Sequence, residues 1–160
     1  MFAFVRDLQF APEFQALCAR PYHGHPHGCP NYGRRPSCPP AAPLIDRVLD
    51  LSEPLFVVAT PFDLGWHIEK MRRRHPDWSE RQLRCCLYWQ GTARKAHRQA
   101  IAANVPWRFP NGYRIVHTPE GHGVNVTALM ASLGAQSVAL EWPPEKTSYV
   151  VSIGGTACRS

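Results

Sequence analysis

Residues 18–40 read CARPYHGHPHGCPNYGRRPSCPP: three cysteines, three histidines and six prolines in twenty-three positions, with no run that keeps a helical or strand period. Proline fixes φ and removes an amide donor, so such a stretch can neither continue a helix nor fill the middle of a sheet. Its stiffness must serve something other than a hydrophobic core, and the fold has to be built from the chain on either side.

That flanking chain is sufficient for one domain spanning residues 1–160, with the loop 18–40 set into it. At 160 residues a chain buries most of the surface that its unfolded form exposes. The 44% hydrophobic and 19% charged fractions lie well away from those of disordered chains. The longest apolar run, PLFVVATPF, is too short for a bilayer, and MFAFVRDLQF loses its apolar character at Arg6 and Asp7 before a signal-peptide core could form. The expectation is a cytoplasmic protein with no membrane partner. Six cysteines in a reducing compartment point to metal binding or thiol chemistry ahead of disulfides.

The periodic segments predict a small α/β fold, a mixed sheet of three to four strands with packed helices. EFQALCAR (13–20) reads as a short helix that delivers Cys18 to the mouth of the loop. APLIDRVLDL carries apolar residues at Leu44, Ile45, Val48, Leu49 and Leu51, the pattern of an amphipathic helix. PLFVVATPF, NGYRIVHT, SVALEW and YVVSIGG supply strands. GWHIEKMRRRH predicts a basic helix ended by Pro76; Ser79 predicts the N-cap of a long helix through Asn104, and 123–134 a helix closed by Gly134. On the long helix Leu83, Cys86, Leu87, Gln90, Ala93, His97, Ala100 and Ile101 share one face, so Cys86 is expected to point inward and Cys85 to the side.

Ligand thiolates must converge, which requires backbone that turns sharply and stays put. Cys29 and Cys38 are each followed by proline, the junction that closes the ligand run of ferredoxin-type clusters. Ten residues separate Cys18 from Cys29 and eight separate Cys29 from Cys38; the tight Cys-x2-Cys knuckles of zinc ribbons are absent. The pattern suits a 4Fe-4S cluster wrapped by a wide loop, with zinc as the alternative. Cys86 is the expected fourth ligand; Cys85, Cys158, one of His23, His25 and His27, or an open iron that binds substrate are the other options.

GCPNYGRRPSCPP resembles the Cys-x2-Tyr-Gly and Cys-Pro-Pro signature of an uncharacterised, cysteine-rich family known as predicted metal-binding proteins, found in anaerobic bacteria and archaea. TPEGHGVNVTALMASLG is similar to that family's stretch near its C-terminus, and LYWQGTARKAHRQ falls where the family has an Arg/Lys-rich helix, so the resemblance covers most of residues 18–134. It implies an iron-sulfur cluster on Cys18, Cys29 and Cys38. Longer members carry a second, ferredoxin-like cysteine set after a Gly-Tyr pair, whereas this chain runs from Gly112 and Tyr113 straight into RIVH. A relay of two clusters is therefore not expected.

Pro119, Glu120, Gly121, His122 and Gly123 lead into a predicted helix, so its free N–H groups offer an anion site. His117, Glu120, His122 and Asn125 are the candidate catalytic residues, as acid, base and hydrogen-bond donors. Fifteen of the eighteen cationic residues are Arg, and Lys70 with Arg72, Arg73, Arg74 and His75 could follow a phosphate backbone, although a solvated helix face fits them as well. SIGGTA lacks the Lys-Ser/Thr of a phosphate loop. Three functions follow: a cluster protein acting on a small sulfur-containing or anionic ligand, a metal-stapled nucleic-acid or protein-binding module, and a single-cluster carrier with a redox partner. The first is the leading expectation.

Overall fold

The computed structural model describes residues 1–21, 26–106, 108–109, 112–135 and 148–158, apart from the side chains of Cys86, Leu87 and Ser148. The predicted strand SVALEW, the turn PPEKT and His23 and His25 lie outside the described residues.

Four strands, β1 (Phe2–Val5), β2 (Leu55–Phe62), β3 (Arg114–Val116) and β4 (Ser148–Gly155), form one sheet in the order β1-β2-β4-β3. The strand count and the α/β class are as expected, but every pairing is antiparallel. Five of β2's eight residues, Leu55 to Ala59, are buried, because both faces of this inner strand are covered. Leu55, Val57 and Ala59 join Val151, Ile153, Ile45, Leu49, Val124 and Leu129 in one core. Phe56 and Val58 face the other way, into a second core with Ile101 and Val105. The edge strand β1 contributes Phe2, whose ring stacks on Phe56, which in turn stacks on Phe109 at 4.3 Å between centroids.

The helices are α1 (Pro12–Ala16), α2 (Leu64–Arg74), α3 (Glu80–Leu83), α4 (Cys86–Asn104) and α5 (Val126–Ser132). Leu64, Ile68, Leu83 and Trp89 join α2, α3 and α4 in a third cluster beyond the end of β2.

Three helix expectations need correction. Ser79 does cap a helix, through a reciprocal capping box with Gln82, but that helix stops after one turn. The Trp89 indole N–H takes the Arg84 carbonyl at 3.2 Å, and Cys85 adopts an extended backbone and begins α4 anew. The segment 42–51 forms only a 3₁₀ turn at Ile45–Arg47, because the Leu49 backbone bridges to Ala157 and the Asp50 N–H donates to the Thr156 carbonyl. Ile45, Val48 and Leu49 are nevertheless buried as the pattern requires, and Leu44 and Leu51 are half-buried. The helix expected from 123 begins at Val126, capped by Asn125, and its last turn closes on Gly134 as expected.

Candidate metal centre

Helix α1 starts on Pro12, which has no amide to waste, and runs into a 3₁₀ turn at Leu17–Ala19 that presents Cys18. The Cys18 carbonyl then accepts from the Cys29 N–H at 2.8 Å. Gly28 makes that approach possible: its φ is +77°, and a Cβ there would lie 2.7 Å from the Cys18 carbonyl oxygen. Beyond Cys29 the chain folds on itself. The Gly33 N–H donates to Pro39 O at 2.8 Å, Cys38 N–H to Arg35 O at 3.0 Å, and Ala42 N–H to Cys38 O at 3.0 Å.

A strap of residues 117–123 seats this loop. The Thr118 hydroxyl donates to Ser37 O at 3.0 Å, beside Cys38. Gln15, from α1, donates one amide group to both Ala42 O and Gly121 O, at 2.8 and 2.9 Å. His122 Nδ1–H donates to Pro43 O at 2.8 Å. Loop, strap and first helix are thus tied by side chains to backbone carbonyls, which compensates for the ladder hydrogen bonds that a proline-rich stretch cannot make.

Cys18, Cys29 and Cys38 are each half-buried free thiols. Burial pushes the Cys18 thiol up to about 11, and Cys29, Glu120 and Cys38 add to the rise in that order. Two further thiols and one carboxylate therefore act on Cys18, where their charge disfavours its ionisation. Glu120 itself is raised by desolvation, against the pull of its own backbone hydrogen bond and of Arg94 on α4; the residue keeps solvent contact, which moderates that rise. A thiol raised in this way is one whose ionisation a nearby cation would favour. Among the described residues, however, no three His, Cys, Asp or Glu side chains are gathered into a metal-binding cluster.

The other expected residues have scattered partners. Cys85 is the half-buried N-cap of α4, and the Cys86 side chain lies outside the described residues. Cys158, one of the other options for a fourth ligand, donates its thiol to Asp46 O at 3.2 Å and its N–H to Val48 O. His27 is exposed. Asn125 caps α5 through the Ala128 N–H and also donates to Gln9. Because the strap coils as a 3₁₀ turn at Pro119–His122 and Asn125 occupies the start of a seven-residue helix, the anion site expected there has no free helix end.

His117 leaves the strap on its other side, toward Ser152 of β4. Sequence reasoning missed Gln15 as a clamp and Ser152 as a partner; the one available signal was the inward place of His97, which also bonds Ser152.

On α2, Arg72 pairs with Glu69 and Glu80, and Lys70 lies over the exposed Trp66 ring at 5.0 Å, the pattern of a solvated face. Gly154 and Gly155 end β4 against Phe56 and Leu55, so SIGGTA serves close sheet packing. No described helix is long and apolar enough to cross a membrane. Comparison with protein-family models, with curated proteins and with solved structures finds no match.

Proposed function

We propose that the loop 18–40 holds a 4Fe-4S centre on Cys18, Cys29 and Cys38, in a cytoplasmic, oxygen-poor setting, and that the protein uses it on a small sulfur-containing or anionic ligand. The observation that carries this reading is the action of Cys29, Glu120 and Cys38 on Cys18 within a loop stiffened by prolines and clamped by Gln15 and Thr118. The family resemblance of GCPNYGRRPSCPP points the same way.

The fourth position is filled by Cys86 or left to the ligand. Cys158 donates its thiol to Asp46 O, which speaks against it as the fourth ligand. A cluster iron that lacks a thiolate supplies a Lewis-acid position. Around it the chain offers Glu120 as an acid or base beside Cys18, Arg94 as the cation facing Glu120, and His117 at the far end of the strap. His122 and Asn125 hold the strap and α5 in place and act on a ligand only through that positioning.

Zinc is the second reading, favoured by one observation: Glu120 acts on Cys18 together with Cys29 and Cys38, and three Cys and one Glu would make a four-donor set for a closed site, with the metal a staple for a binding module. The test is anaerobic purification with iron, acid-labile sulfide and zinc analysis. Iron and sulfide in similar amounts, with a brown protein, support the cluster. Stoichiometric zinc without sulfide replaces it with the staple, and a colourless, metal-free protein that takes up neither metal on reconstitution overturns both.

A further inference from the structure

Four polar side chains form one connected row between α4 and the sheet. Thr60 Oγ1 of β2 and His97 Nδ1 of α4 are 2.9 Å apart; His97 Nε2 and Ser152 Oγ of β4 are 2.8 Å apart; Ser152 Oγ and His117 Nδ1 are 3.2 Å apart. His97 and Ser152 are 3% and 1% exposed, while His117 reaches solvent, so the row runs from the core to the surface. The cross-strand register explains it: Val58 faces Ser152 and Thr60 faces Val150, which puts both hydroxyls on the face that α4 covers.

Each hydrogen bond needs one donor and one acceptor, and a neutral imidazole supplies one of each. Two arrangements of protons satisfy the whole row and also use the Ser152 hydroxyl proton; a third, with both rings donating to Ser152 Oγ, would leave that proton buried with no acceptor among the described residues. In the first, Thr60 donates to His97 Nδ1, His97 Nε2–H donates to Ser152, and Ser152 donates to His117 Nδ1, leaving His117 with its proton on Nε2. In the second, every bond is reversed: His117 Nδ1–H donates to Ser152, Ser152 donates to His97 Nε2, and His97 Nδ1–H donates to Thr60, leaving His117 Nε2 bare. Of these two, a doubly protonated His117 fits only the second.

We propose that Thr60, His97 and Ser152 are positioning residues that lock the tautomers of His97 and His117 together, so that His117 meets its ligand either as an Nε2–H donor or as a bare Nε2 base. A proton taken up at His117 Nε2 then holds the buried row in its second arrangement, while the charge stays on His117 at the solvent end of the row. The charged groups facing His97 are His117 and the Met1 ammonium, and burial and these neighbours together keep His97 neutral down to about pH 4. The use of His117 on a ligand rests on the reading above; the tautomer coupling does not.

The experiment is ¹⁵N NMR of the histidine ring nitrogens in metal-free protein at about pH 7.5, roughly one unit above the ordinary histidine pKa. In the parent, His97 and His117 should show the same neutral tautomer or the same mixture. Thr60→Val leaves His97 Nδ1 without a partner, and a bare buried acceptor is tolerated better than a buried N–H. His97 should therefore shift to Nε2–H, and His117, which Thr60 does not touch, should follow to Nε2–H. Thr60→Ser should restore the parent mixture, and Ser152→Ala should uncouple the two rings. Unlike tautomers in the parent, or a His117 indifferent to Thr60→Val, overturn the proposal. Should Thr60→Val not fold, the parent measurement and Ser152→Ala decide it. Because no metal is present, failure here is distinct from failure to find a cluster.

Discussion

The Cys29 N–H and the Cys18 carbonyl are joined by a 2.8 Å hydrogen bond across ten intervening residues, and the chain passes through Gly28 to make it. That bond closes the first half of the cysteine loop, so the loop's shape is set by backbone as well as by any metal. Gly28→Ala tests this. The added Cβ would collide with the Cys18 and Ala19 carbonyl groups and force a side chain into left-handed backbone, a strain of roughly 1–3 kcal/mol before the clash is counted. Gly33→Ala carries the same backbone strain with open space around it. The expected outcome is a lower melting temperature and poor metal loading for Gly28→Ala, with loading retained in Gly33→Ala. Equal loading in both would show that the Cys18–Cys29 closure does not shape the site.

A second prediction concerns the sheet. Phe56 and Gly154 are cross-strand partners, and the Phe56 ring occupies the space that a Gly154 side chain would need. Overpacking a core of this kind costs about 1–3 kcal/mol, occasionally more. Gly154→Ala should lower the denaturation midpoint in urea by that amount while leaving metal content per folded molecule unchanged, because Phe56 belongs to the core on the α4 side. A variant as stable as the parent would mean that the ring moves freely, contrary to its stacking on Phe2 and Phe109.

Acid should weaken the fold through its histidines. Burial lowers His97 from 6.5 to about 4, with His117 adding to the effect, and burial also lowers His67 and His122. The unfolded chain therefore takes up protons first, so the stabilisation is complete above the unfolded value of 6.5 and is lost as pH falls from there toward 4. For His97 alone the loss reaches on the order of 2 kcal/mol, allowing for solvent screening near the surface end of its network. Urea denaturation of metal-free protein between those pH values should show this decline, and His97→Gln should flatten it. An unchanged slope in His97→Gln would assign the acid sensitivity elsewhere.

How much of this was legible in the sequence depends on the range of the interaction involved. β2 and β4 announce themselves as β-branched apolar runs, α2 by its basic run and the Pro76 beyond it, and the Ser79 cap by its partner three residues on. These are local signals. The segment 42–51 has helical spacing, yet its backbone pairs with residues 156–158, which no local pattern reveals. The break at Arg84 depends on where the Trp89 indole lands. At the site, Cys18, Cys29 and Cys38 stood out by their prolines, whereas Gln15, Thr118 and Ser152 carry no motif and gain a role only when distant elements meet.

A series of single cysteine substitutions tests the centre itself. Cys18→Ser, Cys29→Ser and Cys38→Ser should each strip most of the iron or zinc, because each removes a donor from the patch that acts on Cys18. Cys158→Ser should leave loading intact, since its thiol is committed to Asp46 O. Cys86→Ser decides the fourth position: a changed electron paramagnetic resonance spectrum with Cys85→Ser as the silent control would make Cys86 a ligand, and insensitivity to both would leave the position to Glu120 or a small ligand. The triple Cys18/Cys29/Cys38→Ser protein should still unfold cooperatively, because the three thiols are only half-buried and stand outside all three hydrophobic clusters. Thermal melting by circular dichroism reads that outcome. A triple variant that never folds would make the metal a staple, and full metal content in all three single variants would remove the loop from consideration as the centre.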